Sequence, residues 1–277
     1  MKIAIIGAGS VGTNLHHAFE LKGVRTDLIH ARPLTAERPE LLEDPRVPDE
    51  VLNSFDLYVY TVADHALREV VAKVNAPKAL HLHTSGSMPI EVFGEDKPHA
   101  GILYFFQSFS REKLIDEWSG IPCFIEGRNI DDIAAIYSLA QTLTSRIYEA
   151  SQHDRERLHI AGVFANNYSN LMYRIAAQVL ADTQIPFEAL LPLIDQTAAK
   201  VHTIQPIDAQ TGPAQRGDEM VMQKHMEILK ELRITNYELG ITNYELGMRN
   251  HFDSFNGEEL RAVYQALSAL IAKAHTH

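Results

Sequence analysis

Lys2-Ile-Ala-Ile-Ile-Gly-Ala-Gly-Ser-Val-Gly12 joins a short β-branched apolar run to three glycines at the G-x-G-x-x-G spacing. Ile3 to Ile6 reads as a strand buried on both faces, the pattern of a parallel sheet. Thr13 to Lys22 continues as a helix. Gly7 permits the tight turn off the strand, Gly9 leaves room for a pyrophosphate against bare main chain, and Gly12 lets helix and strand approach closely. The helix start then presents N–H groups and a partial positive charge to the phosphates. Gly7, Ala8, Gly9, Ser10, Val11 and Gly12 are therefore the expected dinucleotide-binding residues. The competing reading is a phosphate-free glycine turn of an ordinary α/β unit.

Working outward, Val24 to His30 reads as the second strand. A carboxylate about twenty residues beyond the last glycine would hold the ribose hydroxyls of NAD. Here the chain has His30-Ala-Arg32 and no carboxylate until Glu37. Arg32 can pair with a 2′-phosphate and His30 can add a donor, so NADP is favoured as cofactor; alternatively Arg32 is a solvated loop charge. The proline-rich, charged segment Pro33 to Asp49 reads as a surface crossover with at most a short helix. Asp56 to Val62 is the next buried strand. It leads into a helix, Asp64–Val74, with Asp64 as the expected N-cap. Ligands lie beyond the carboxyl ends of parallel strands, so Thr61, Val62 and Ala63 are expected to line the dinucleotide.

Ala79 to His83 is a further strand, ending in Thr84-Ser-Gly-Ser87. Such a loop suits a carboxylate or carbonyl oxygen, and equally a helix N-cap by Ser87. His81 and His83 share one strand face. With His99 they invite a metal reading, but no acidic ligand stands at a suitable spacing, and no metal site is expected. Further strands at His99–Phe106, Ile121–Glu126 and Arg146–Ala150, with a helix at Asn129–Thr144, complete a doubly wound sheet over residues 1–150.

From Ser151 long helical patterns replace the strands. One helix, about Gln152 to Asp182, carries His159, Gly162, Asn166, Asn170 and Tyr173 at helical spacings, hence on one face. That face reads as a wall of a cleft, or alternatively as a helix–helix or dimer seam. A second helix is expected over Phe187–Ile204, then a Gly-Pro loop, Thr211–Asp218, and another helix over Glu219–Leu232. Ile234–Gly240 recurs unchanged as Ile241–Gly247, a short duplication to which no chemistry is assigned. The expected organisation is a nucleotide-binding domain over 1–150 and an all-α domain over 151–277.

The 277 residues carry a formal net charge of −11, which argues against a nucleic-acid binder. The single cysteine, Cys123, excludes an internal disulfide and a cysteine-based zinc cluster, and reads as a small buried side chain. No signal peptide and no membrane span are expected, and a cytoplasmic location is the default reading.

The glycine motif, His83-Thr-Ser-Gly-Ser87, His159-Ile-Ala-Gly-Val-Phe-Ala-Asn-Asn167 and Gly212-Pro-Ala-Gln-Arg-Gly-Asp218 together resemble a two-domain family. Its members join a Rossmann-like N-terminal half to a helical half catalogued as a domain of unknown function, and are described as NADP oxidoreductases of the deazaflavin-dependent type. More distantly the chain is similar to pyrroline-5-carboxylate reductase and the β-hydroxyacid dehydrogenases. That resemblance implies homodimers sharing their helical domains. The dehydrogenases use a lysine and a following asparagine on the first long helix, where this chain offers His159 and Asn166. Hydride transfer between NADP and a small carbonyl or imine substrate, or a deazaflavin, is the expected activity. His159 is the candidate acid/base, and Asn166 and Ser85 are candidates to orient the reacting oxygen. The alternative is an NADP-binding sensor or assembly protein without turnover.

Overall fold

Ile3–Ile6 (β1) runs through the interior of an eight-stranded sheet. The structure is a computed structural model that describes residues 1–31, 34–36, 47–231 and 255–274. Its strands are β1, Thr26–Ala31 (β2), Leu34–Ala36 (β3), Leu57–Tyr60 (β4), Leu80–His83 (β5), Ala100–Phe105 (β6), Cys123–Gly127 (β7) and Ile147–Glu149 (β8). Their order across the sheet is β3-β2-β1-β4-β5-β6-β7-β8. The β2–β3 and β6–β7 pairs are antiparallel and the others parallel. This is an α/β doubly wound, Rossmann-like sheet followed by a helical region, as the sequence pattern indicates. The segment 34–36, expected in an irregular crossover, instead adds an edge strand.

Strand alternation explains the two-sided core. Ile3 and Ile5 join Leu15, Phe19, Val59 and Leu82 on one face of the sheet. Ala4 and Ile6 join Tyr58, Tyr60, Leu67 and Val70 on the other. Successive strand side chains point to opposite faces, so an apolar run without alternation needs cover on both. Ser10–Leu21 (α1) and Ile130–Gln141 (α4) supply cover to the first face, and Asp49–Leu52 (α2) and Asp64–Ala72 (α3) to the second. Each fully buried Ile or Leu contributes roughly 1.5–3 kcal/mol of transfer free energy. Cys123 is buried, and that burial pushes its thiol pKa up.

Two details depart from the sequence reading. Asp64 is the first residue of α3 rather than its cap; Ala63 holds the cap position and makes no side-chain cap bond. The expected helix over 152–182 is three pieces: Gln152–Gly162 (α5), a π-helical turn Val163–Tyr168, and Ser169–Leu180 (α6). A π turn widens the i→i+4 ladder to i→i+5, so the 3.6-residue register behind the one-face reading does not carry through it.

The chain divides into two compact units, Met1–Asn166 and Asn167–His277. Residues 151–166, assigned on sequence to the helical domain, cluster with the sheet. Arg155 supplies the reason. Its side chain is fully buried, and Nη1 donates to the Glu126 carboxylate on β7 and to the Ala150 carbonyl at 3.0 Å. Nη2 donates to the Met88 carbonyl at 3.3 Å. Ser151 begins α5 with a capping box, its hydroxyl accepting from Asp154 N–H and the Asp154 carboxylate accepting from Ser151 N–H.

The regular elements among the second unit's described residues are all helical. A 3₁₀ turn, Phe187–Leu190, precedes Leu191–Lys200 (α7). Pro206–Ala209 (α8), Pro213–Arg216 (α9), Glu219–Glu231 (α10) and Gly257–Ala274 (α11) follow. The Gly-Pro stretch read as a loop contains α9, a single turn closed by Gly217 at φ +67°. The duplicated heptapeptide lies outside the described residues. No helix among them is long and apolar enough to cross a membrane.

Candidate functional site

The chain leaves β1 for β2 on one side and later returns to β4 on the other. A crevice therefore opens beyond the carboxyl ends of β1 and β4, where α/β sheets hold their ligands. Gly7 turns the main chain at φ +122°, and its N–H reaches the Ile29 carbonyl at 2.8 Å. Thr61, at the end of β4, locks this turn. Its N–H bonds Ile6 O at 2.9 Å and its hydroxyl donates to Gly7 O at 2.7 Å. A Cβ on Gly7 would meet Thr61 atoms at 2.8–2.9 Å. One on Gly12 would be driven into the Gly7 carbonyl.

Gly9 differs from both. It caps α1 without any side-chain bond, and nothing lies within 4 Å of where its Cβ would be. Gly7 and Gly12 are thus required by packing, and Gly9 keeps open the space in front of the helix start. The first turn of α1 contains no acidic residue to claim that positive end. These features fit a dinucleotide pyrophosphate. Ala8 is buried, Ser10 and Val11 are half-buried in the first turn, and Val62 and exposed Ala63 follow Thr61 along the rim. His30 is half-buried near the end of β2. Arg32 lies outside the described residues.

One strand beyond β4, the loop after β5 is knitted by its own side chains. Ser85 Oγ accepts from Ser87 N–H at 3.2 Å and Met88 N–H at 3.1 Å, so it shapes the turn. Ser87 does not cap the following 3₁₀ turn, Ile90–Phe93, whose cap position is Pro89. Its hydroxyl instead donates to the Asp64 carboxylate at 2.6 Å. His83 accepts from Ser85 N–H at 3.2 Å through Nδ1. Its Nε2 is sealed from solvent without a well-formed partner. Burial pulls the His83 pKa down to about 4, with the Pro89 carbonyl opposing part of that shift and Arg155 adding to it.

Tyr104, near the end of β6, lies over this loop. A Cβ on Gly86 would touch the Tyr104 ring at 2.8 Å, so the ring packs directly on main chain. The Tyr104 hydroxyl is 3.3 Å from Nδ1 of His159, one helical turn beyond Arg155 on α5. Burial, helped by the Asp64 charge, pushes the phenol pKa up to about 12. His159 itself is exposed, as is Asn166 in the π turn. The space beside Gly162 is filled by Phe106, whose ring would lie 2.7 Å from a Cβ there.

The three histidines weighed as metal ligands are engaged separately. His81 is buried between the Tyr60 hydroxyl at 3.1 Å and the Ala76 carbonyl at 2.9 Å. His99 meets Asp132 at 3.0 Å. Among the described residues no group of three or more His, Cys, Asp or Glu could hold a metal.

A family model described as "Domain of unknown function (DUF2520)" matches residues 121–240. A crystal structure of a "putative NADP oxidoreductase" from Bacteroides fragilis is 32% identical, covers 98% of each chain and superposes with a TM-score of 0.79. The chain carries the DUF2520 domain and belongs to the family of the Bacteroides fragilis protein. Likeness of fold alone extends further. An imine reductase from Myxococcus stipitatus, solved in complex with NADP+, is 15% identical over 99% of this chain and 94% of its own, with a TM-score of 0.59. Pyrroline carboxylate reductase from Plasmodium falciparum, solved with NADP bound, is 11% identical over 100% and 98%, with a TM-score of 0.55. No curated protein sequence matches.

In this DUF2520 protein, sequence reasoning missed Tyr104, the Ser87–Asp64 bond and buried Arg155. The rule that strand ends face the ligand pointed to the region, but alternation along β6 does not tell which hydroxyl meets which helix.

Proposed function

We propose that this protein is a nicotinamide-dependent oxidoreductase, with NADP as its cofactor and a small carbonyl or imine compound as substrate. The observation that carries the reading is the turn braced by Thr61, with close-packed Gly7 and Gly12 flanking an open front at Gly9. Main-chain groups of Gly7, Ala8, Gly9, Ser10, Val11 and Gly12 hold the pyrophosphate, and Thr61, Val62 and Ala63 border the nucleotide. His30 and Arg32 read the 2′-phosphate. When bound, the reduced nicotinamide supplies a hydride. The protein aligns the accepting carbon and manages the accompanying proton. His159 serves as acid/base, and Ser85 and Asn166 orient the reacting oxygen. The shared identity with the Bacteroides fragilis protein and the NADP held by the imine and pyrroline carboxylate reductases support this choice of cofactor.

The second unit pairs with a second copy of the chain. An apolar groove of about 400 Å³ lies between α6, α10 and α11, lined by Met172, Ile175, Val179, Ile228, Val263 and Leu267 among others. Leu270 stands 64% exposed on α11. Apolar surface of this kind on a helical unit marks an association face.

The test is to titrate NADPH and NADH by nucleotide fluorescence, then follow oxidation at 340 nm with oxo acids and cyclic imines. NADPH should bind more tightly than NADH. Failure to bind either at millimolar concentration overturns the proposal. Binding without turnover across the panel favours a sensor or assembly role.

A further inference from the structure

We propose that the Tyr104 hydroxyl is the group that hands the proton to the reduced oxygen or nitrogen, with His159 resupplying it from solvent. This rests on the oxidoreductase reading above and assigns its proton path. A hydride added to a carbonyl carbon breaks the C=O π bond and leaves that electron pair on oxygen, which must gain a proton. The Tyr104 O–H bond breaks and the substrate O–H bond forms. The resulting phenolate takes a proton from Nδ1 of His159, and the exposed imidazole takes one from water. The substrate has then gained one hydride and one proton, and the reduced nicotinamide has been oxidised.

Three observations place the proton here. Tyr104 emerges near the carboxyl end of β6, two strands along the same sheet edge from β4, and its ring rests on Gly86, so the hydroxyl is held by packing and not by a flexible stem. Among the described residues its hydrogen-bonding side chain is the imidazole 3.3 Å away, and such distances often tighten when substrate arrives. The two partners differ in access. Tyr104 is half-buried while His159 is exposed, which is the order a relay from water to a shielded site requires. Asp64 at the start of α3 acts on the Tyr104 phenol, and Asp64 and Arg155, the latter paired with Glu126, act on His83 at the end of β5. Burial, with the Asp64 charge adding to it, raises the phenol's pKa, so the hydroxyl holds its proton until substrate is reduced. His83 is neutral above about pH 4 and does not compete for the proton in the neutral range.

The experiment uses the full chain with NADPH, and with glyoxylate and 1-pyrroline as carbonyl and imine probes. Tyr104→Phe keeps the ring on Gly86 and removes only the hydroxyl. It should lower kcat on the order of 100-fold, with NADPH affinity by fluorescence within about twofold of wild type. His159→Gln keeps a hydrogen-bonding partner without a titrating ring. Wild-type kcat for reduction should depend on pH, and that dependence should vanish in His159→Gln. In the ligand-free protein, the ¹⁵N-detected titration of the His159 ring should shift in Tyr104→Phe. A Tyr104→Phe enzyme within about threefold of wild-type kcat overturns the assignment. So does an unchanged pH profile in His159→Gln, or wild-type enzyme that binds NADPH yet reduces neither probe. Loss of NADPH binding in the wild type would overturn the oxidoreductase reading itself.

Discussion

In the sheet unit Ile5, Ile6, Leu15, Val59 and Leu82 are wholly sealed from solvent. In the helical unit the sealed apolar side chains among the described residues are Ala214, Met226, Leu229 and Leu260, while Leu193, Leu267 and Leu270 stand 43–64% exposed. A strand buried on both faces finds cover inside one chain once helices return over the sheet. Helices α9, α10 and α11 pack on one another and still present apolar sides that need further cover. The sheet unit therefore holds a sealed core of its own, and the helical unit leaves a larger share of its apolar side chains open.

The largest expected effect would break this comparison at the tightest point of the sheet unit. Gly12→Ala forces a methyl group into the Gly7 carbonyl and should lower unfolding free energy by about 3 kcal/mol or more, read by urea denaturation. Gly9→Ala, three residues earlier in the same turn, meets nothing and should stay within about 0.5 kcal/mol of wild type, yet weaken NADPH binding about tenfold or more. Similar losses of stability in both variants would show that the turn is not divided between packing and ligand space.

A second effect follows from the two buried imidazoles of β5. His81 and His83 are fully buried, and burial lowers the pKa of each from 6.5 to about 4. Unfolded histidines keep the higher value, so the unfolded chain binds protons first as pH falls. The stability from each neutral ring is fully present above about pH 6.5 and is lost towards about pH 4, at up to about 1.4 kcal/mol per pH unit per histidine. Urea midpoints between about pH 7 and pH 4.5 should decline, and less steeply in His81→Gln, which retains polar ends for Tyr60 and Ala76. A flat wild-type profile would contradict the burial.

The gentlest test concerns the open unit. Leu270→Glu should shift sedimentation from dimer to monomer, with NADPH affinity unchanged to within about twofold. A dimer that survives this variant moves the association face elsewhere.

What could be read from the residues followed the range of the interactions. The β1 strand, the glycine turn and α1 are local: a β-branched run, a residue at positive φ and a helix start are encoded within twenty neighbours. Thr61 was placed at the rim, but its hydroxyl bond to Gly7, 54 residues away, needs the sheet order. Tyr104 and His159 are separated by 55 residues and meet through the packing of α5, which periodicity alone assigned to the other domain. Asp64 looked like a cap because carboxylates favour that position. Ala63 took it instead, because the acid one residue further on reaches Ser87. The π turn has no sequence signature that the 3.6-residue pattern could reveal.

Arg155 sets a division of labour between the two halves. Its guanidinium pins the opening turn of α5 to three backbone or carboxylate anchors, all of them in the sheet unit. The imidazole one turn further along is thereby installed before any residue beyond Asn166 is considered. A change confined to the residues beyond Asn166 therefore leaves the Tyr104–His159 contact in place.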